Sequence, residues 1–410
     1  MADTASAAEA PVVSMVRSGM LLGSANVVAT ACGYGVTLVL SRSLGTEEFG
    51  ALGALLAVGL IGTIPAGALQ VVCARWTARS VGEPSGRRAQ MVLGAEVGLG
   101  LLLILTALAL PIAGLLHLSG PLPVVLLGST LLTMSVVGAM QGHLLGSERF
   151  GRLAAANIVV AVARLAAGVA AALLGFGVVG VLALTTAGGF VALAVVALLA
   201  KVQQRGGGTQ VHGLHIAELG RAITGMAGLL VLSNLDVVLA RHFLSHRDSG
   251  LYALASIFTK AAFWGPQFLA LLVLPRLSRN ERRQALLRKA TWVTLVLGLA
   301  VTLLAVTFAE PVIRLTAGPE YTPVASWAWA FALLGVVTAL LQLFLYAGLA
   351  TAARRMSVLL WLAAAVEILA VTLFFHGSIA QIVVTGLLTA SGLLCVAIYL
   401  ERTHQDGSSS

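Results

Sequence analysis

The chain has 410 residues, 59% of them hydrophobic and only 10% charged, with a mean hydropathy of +0.98. Soluble domains carry about 25% charged residues, so a water-soluble enzyme or binding domain is excluded for most of the mass. The net charge of +9 does not point to nucleic acid either, because the basic residues sit in short loops between apolar runs.

A bilayer crossing takes roughly 20 mostly apolar residues. Twelve stretches qualify: 16–40, 49–72, 90–115, 122–143, 153–175, 177–200, 220–243, 250–274, 290–313, 324–350, 356–375 and 379–400. Orientation follows from where lysine and arginine fall. Of the 25 basic residues, Arg42, Arg241, Arg247 and Arg314 lie on one side, Arg164 and Lys260 lie inside apolar stretches, and the other nineteen share the opposite side. That asymmetry predicts a multi-pass protein of the plasma membrane with both termini cytoplasmic.

An internal repeat organises the chain. VLSRSLGTEEFGALGALLAV (39–58) matches VLARHFLSHRDSGLYALASIF (238–258). Arg42 pairs with Arg241, Gly50 with Gly250, Pro65 with Pro266 and Arg75 with Arg276. Six helices per repeat is an even number, so the halves share one orientation. The expected architecture is an all-α membrane protein with 12 transmembrane helices in two parallel six-helix lobes. The lobes are placed at 14–202 and 215–402, with a glycine-rich linker at 203–214 and cytosolic tails at 1–13 and 403–410.

Ionisable side chains inside the membrane are costly and mark functional positions. Arg164, Lys260 and Glu367 fall near mid-helix, Asp236 nearer the outer end and Glu96 nearer the cytoplasmic end. Small or polar neighbours surround the mid-helix three, such as Asn157 and Gly168 around Arg164, Ser256 around Lys260, and Ala363 and Ala364 around Glu367. Two roles fit: substrate or ion binding, or structural pairing of a cation with Glu367 or Asp236. Pro65 and Pro266 interrupt the intrahelical hydrogen bonding of repeat-related helices and are candidate hinges.

The sequence has no catalytic constellation and no metal-ligand spacing. The cysteines Cys32, Cys73 and Cys395 are isolated, and His143 beside Gln141 reads as a helix-interface residue. Neither an enzyme nor a bound cofactor is expected, beyond coupling to a proton or sodium ion.

SRSLGTEEFGALGALLAV and NLDVVLARHFL…SGLYALA together resemble the Wzx-type polysaccharide flippases of the multidrug/oligosaccharidyl-lipid/polysaccharide (MOP) exporter superfamily. The resemblance implies translocation of an undecaprenyl-pyrophosphate-linked oligosaccharide by alternating access around a cationic cavity. Arg42, Asp236, Gly250 and Tyr252 carry over by position. The expected pyrophosphate-binding set is then Arg164, Lys260, Arg42 and Arg241, with Asp236 and Glu367 as ion-coupling residues. The expected partners are the lipid-linked glycan, membrane lipid, and a glycan polymerase or glycosyltransferases, with the chain itself a monomer that does not bind nucleic acid. An ion-coupled drug or small-solute exporter, of the drug-antiporter or major-facilitator kind, and a membrane glycan polymerase or ligase remain as alternatives.

Overall fold

The computed structural model describes residues 3–79, 85–201, 216–277, 283–350 and 355–406; the expected linker at 203–214 lies outside them. In hydrocarbon, backbone groups find no water and must bond to one another. Accordingly these residues are almost entirely helical, with no strand among them. The first half holds α1 (Asp3–Gly62), α2 (Ile64–Arg79), α3 (Ser85–Ala107), α4 (Ala109–Leu115), α5 (Leu122–Gly146), α6 (Phe150–Leu173) and α7 (Val178–Leu199). The second holds α8 (Ile216–Leu232), α9 (Leu235–Phe243), α10 (His246–Leu277), α11 (Arg283–Thr316), a 3-10 segment (Pro319–Trp327), α12 (Ala328–Ala350), α13 (Arg355–Leu373) and α14 (Ile379–Asp406).

Each predicted apolar stretch lies on helix. By length and composition, nine described helices could cross a membrane, or ten if α8 and α9, bent by 40° at their break, form one span. Part of the difference from twelve is geometric. Leu21–Ala78 reads as one 58-residue element, although it turns at Gly45 (φ 68, ψ 174) and breaks at Thr63. Only glycine adopts the Gly45 conformation without steric cost.

The chain divides into two compact units: Met1–Ser43 with Pro65–Ala113 and Ser119–Leu214, and Leu44–Ile64 with Gly114–Leu118 and His215–Ser410. The path passes from one unit to the other beside Gly45 and again at Pro65.

In the first unit α5 carries a glycine every fourth residue, at Gly138, Gly142 and Gly146. A Cβ at these positions would strike the carbonyl oxygens of Ala66, Gln70 and Ala74 on α2. Close backbone approach of this kind substitutes for hydrophobic driving force between helices in lipid. Gly94 and Gly98 of α3 meet the other side of α5, at Val136 and Leu132. Beneath them Thr77, Gln90 and His143 form a buried polar knot: Gln90 Nε2 donates to Thr77 Oγ1 at 2.9 Å, and His143 Nδ1 lies 3.1 Å from Gln90 Oε1. His143 is thus a helix-interface residue.

In the second unit the repeat becomes visible as packing. A Cβ at Gly50 would lie 2.8 Å from the Gly250 nitrogen, and one at Gly250 would strike the Thr46 carbonyl. Gly53 faces Ala253 in the same way. Residues related by the repeat touch their own counterparts, the pattern of a two-fold contact. Phe49 adds an edge-to-face contact with Tyr321, with ring centres 6.0 Å apart. The core around this crossing includes Leu229, Tyr252, Leu254, Phe331 and Leu360.

Large apolar side chains point outward from the remaining faces, for example Leu103, Leu173, Leu303 and Leu315, as lipid requires. Hydroxyls on such helices are capped by their own backbone. Thr185 donates to the Val181 carbonyl and Thr302 to that of Gly298, a local bond that hides a polar group.

Candidate functional site

The second unit contains a buried polar cluster at a broken helix. Asn234 sits in the break between α8 and α9, with Nδ2 donating to the Leu230 carbonyl at 2.9 Å. Asp236 follows in the first turn of α9, where the helix dipole favours negative charge. The Tyr252 hydroxyl from α10 donates to Asp236 Oδ2 at 2.9 Å. Glu367 enters from α13 against Gly386 of α14, where a Cβ would lie 3.2 Å from Glu367 Oε1. Asp236 and Glu367 interact electrostatically with each other.

All three acidic or amide residues are buried, and Asp236 Oδ1, Asn234 Oδ1 and Glu367 Oε1 have no hydrogen-bond partner. Buried polar atoms are ordinarily satisfied. The orphans here are all acceptors, so what fits them is positive: a proton or a hard cation, which oxygen donors suit. Discontinuous transmembrane helices build ion sites of this kind. No group of three or more His, Cys, Asp or Glu among the described residues is arranged to hold a metal. Lys260 of α10 is half-buried, with Nζ 3.5 Å from Ser256 Oγ, and it acts electrostatically on Asp236.

Arg241, expected among the substrate-binding cations, has its donors engaged within the second unit. Nε donates to the Leu116 carbonyl at 2.9 Å, and Nη1 to the Ser249 hydroxyl at 3.0 Å and the Glu47 carbonyl at 3.3 Å. Nη2 donates to the His117 carbonyl and to His246 Nδ1, both at 3.3 Å. A guanidinium has five N–H donors, and here each has a partner. Its neighbour His242 donates to the Leu115 carbonyl at 2.8 Å and stacks on His117. Nothing local in the sequence points to the three carbonyl contacts, because they come from two distant segments.

In the first unit Arg164 lies on α6, exposed, with no hydrogen bond or ion pair among the described residues. Of the small residues on its face, Ala161, Gly168 and Ala171 are buried, so the long side chain projects past them. Two turns before it, Asn157 joins an amide chain: Gln141 Nε2 donates to Asn157 Oδ1 at 2.9 Å, and Asn157 Nδ2 to Asn26 Oδ1 at 3.2 Å. The sequence reading singled out Asn157 only as a neighbour of Arg164. Asn26, from α1, was missed because a single asparagine in an apolar helix carries no periodic signal.

Of the remaining expected residues, Arg42 is exposed near the Gly45 turn. Pro65 stands second in α2, two residues after the interruption at Thr63. At Pro266 the backbone of α10 is helical; its side chain lies outside the described residues.

Apolar membrane-length helices, with one broken at buried carboxylates and a mid-helix cation that has no partner among the described residues, define a multi-pass transport protein. Over residues 39–326 the chain matches the family described as polysaccharide biosynthesis protein. The match covers well over half of its length, and the chain belongs to that family.

Solved structures share the fold. An inward-facing MATE-family multidrug resistance transporter of the MOP superfamily matches with a TM-score of 0.68 at 15% identity, over 93% of this chain and 96% of that one. The lipid II flippase MurJ, in an inward closed conformation, matches with a TM-score of 0.70 at 11% identity, over 93% and 87%. A MOP superfamily transporter from Pyrococcus furiosus matches at 0.56 and 16% identity, over 94% of each chain. No curated protein matches the chain in sequence. The MOP-type resemblance read from the two repeat motifs is borne out by family and fold alike.

Proposed function

We propose that the chain is a flippase moving an oligosaccharide linked to undecaprenyl pyrophosphate across the plasma membrane by alternating access, for cell-surface polysaccharide synthesis. Family membership supports the pathway class. The observation that carries the mechanism is Arg164, an exposed guanidinium midway along an apolar helix with no protein partner among the described residues. Desolvating a pyrophosphate in hydrocarbon is prohibitive, so a carrier needs fixed cations within the membrane. Arg164 of the first unit and Lys260 of the second are each proposed as a phosphate ligand, and Arg42 as a third. Arg241 is assigned a different part, clamping the outer end of the second unit.

Asp236 and Glu367 are the proposed proton or sodium site. Their orphaned oxygens favour a cation, and Lys260 acts on Asp236. Neutralising Asp236 would release Lys260 from that carboxylate and make its charge available to phosphate, which links the ion to the substrate. Asp236→Asn is therefore expected to leave the protein folded in the membrane while reducing ion-driven translocation at least tenfold in proteoliposomes. Normal transport under an imposed proton or sodium gradient would make Asp236 structural only.

The proposed topology puts both termini in the cytoplasm. Single cysteines at the exposed positions Ser119 and Ser378 should react with an impermeant thiol reagent from outside, and those at Gly151 and Lys201 only after permeabilisation. One position labelling from the wrong side would refute the topology. An ion-coupled exporter of cationic drugs is the rival reading, and Arg164, with no counter-ion among the described residues, speaks against it because it repels such cargo. Transport of a cationic dye, unaffected by lipid-linked glycan, would favour the rival.

A further inference from the structure

The amide chain beside Arg164 has no evident structural need. Unlike the buried Thr77–Gln90–His143 knot, Asn26 is exposed and Gln141 and Asn157 are half-exposed. Their mutual bonds use only part of their capacity. An amide offers two N–H donors and a carbonyl with two lone pairs. Besides the bonds to Asn157 and Asn26, the carbonyl of Gln141, an N–H on each of Gln141 and Asn157, and both N–H groups of Asn26 remain for an outside partner. Lipid cannot satisfy them.

The same face of α1 continues as Asn26, Thr30 and Tyr34, at spacings of four residues. The Tyr34 hydroxyl is a buried group with no hydrogen-bond partner. Such a stripe contrasts with the exposed Leu99 and Leu103 of α3, which suit lipid. A polar stripe on a transmembrane helix marks a wet path.

Asn157 and Arg164 are seven residues apart on α6, two turns along one face, a rise of about 10 Å. This is the scale of a pyrophosphate plus an adjoining sugar ring. The three amides are held by one another in fixed orientation, as groups that recognise hydroxyls must be. Carbohydrate hydroxyls both donate and accept, which is the complement that side-by-side amide oxygens and N–H groups offer. We propose that Asn26, Gln141 and Asn157 form a sugar-binding platform in the first unit, reading the carbohydrate next to the pyrophosphate that Arg164 holds. The proposal rests on the flippase reading and adds to it the part of the substrate that the first unit recognises.

The test measures binding to purified protein in nanodiscs of two probes: undecaprenyl pyrophosphate, and the same carrier bearing one N-acetylglucosamine. Wild type should bind the glycosylated carrier more tightly. Asn157→Ala and Gln141→Ala should each weaken the glycosylated carrier about tenfold, the loss of one or two hydrogen bonds, and leave the bare carrier unchanged. Arg164→Ala should weaken both. Asn26→Ala, at an exposed position, supplies the same comparison should an inner substitution impair folding. Equal loss of both probes in the amide variants, or equal wild-type affinity for the two, would overturn the platform while leaving the phosphate role of Arg164 intact. Failure of wild type to bind either probe would overturn the flippase reading and the platform with it.

Discussion

Replacing Arg164 by alanine is expected to abolish translocation of the lipid-linked glycan while leaving the amount of folded protein unchanged. Arg164 is exposed and makes no hydrogen bond or ion pair among the described residues, so its removal orphans none of those groups. A transiting pyrophosphate would lose a charge-assisted partner in a medium of low dielectric. Truncating one side of a buried charged pair costs about 2–5 kcal/mol, or roughly one and a half to three and a half orders of magnitude in affinity. Lysine at the position should recover part of the activity, since it keeps the charge but not the planar fork. Lys260→Ala should be equally inactive, and here the structure supplies a sharper control. Lys260 interacts with Asp236, so a purely structural pair predicts that Lys260→Ala/Asp236→Ala regains function. Translocation of fluorescent carrier lipid in proteoliposomes decides the matter: full rescue in the double variant, or normal transport by Arg164→Ala, would refute the phosphate role.

The second large effect is on stability. Arg241→Leu is expected to lower the melting temperature of the detergent-solubilised protein by several degrees, and to impair transport only as a consequence. The guanidinium is 5% exposed and ties the carbonyls of Glu47, Leu116 and His117 to Ser249 and His246. Leucine approximates its bulk and removes all five of these hydrogen bonds, and a buried group left unsatisfied costs about 1–3 kcal/mol. Lysine has three donors at a single point and cannot span the same acceptors, so it should rescue little. Fluorescence-detected size exclusion after heating provides the measurement. An unchanged melting temperature together with lost binding of undecaprenyl pyrophosphate would return Arg241 to the substrate site.

Much of this protein is legible in its amino-acid sequence. Hydrophobic runs mark the helices because the bilayer leaves a backbone few other choices. Asp236, Lys260, Arg164 and Glu367 stand out because a charge in such a run is expensive. The offset repeat identified Gly50 and Gly250, and the second unit brings these two glycines against each other. The breaks were harder to read. Pro65 marks one of them, since the helix is interrupted at Thr63, two residues before a ring that removes an intrahelical hydrogen bond. The glycine spacing at 138, 142 and 146 was in plain view, and only its partner helix, α2, needed the structure.

By itself, then, the sequence determined the membrane class, the helical stretches, the doubled design and which side chains are too costly to be incidental. These follow from local composition and period, which the solvent reads residue by residue. Tertiary structure alone decided which groups those side chains meet. Asp236, Tyr252 and Glu367 converge from three helices, and Asn26, Gln141 and Asn157 from three others. Arg241 is engaged by carbonyls in segments more than a hundred residues away. A backbone carbonyl looks the same at every position in a sequence, and only folding determines which one stands within reach of a guanidinium.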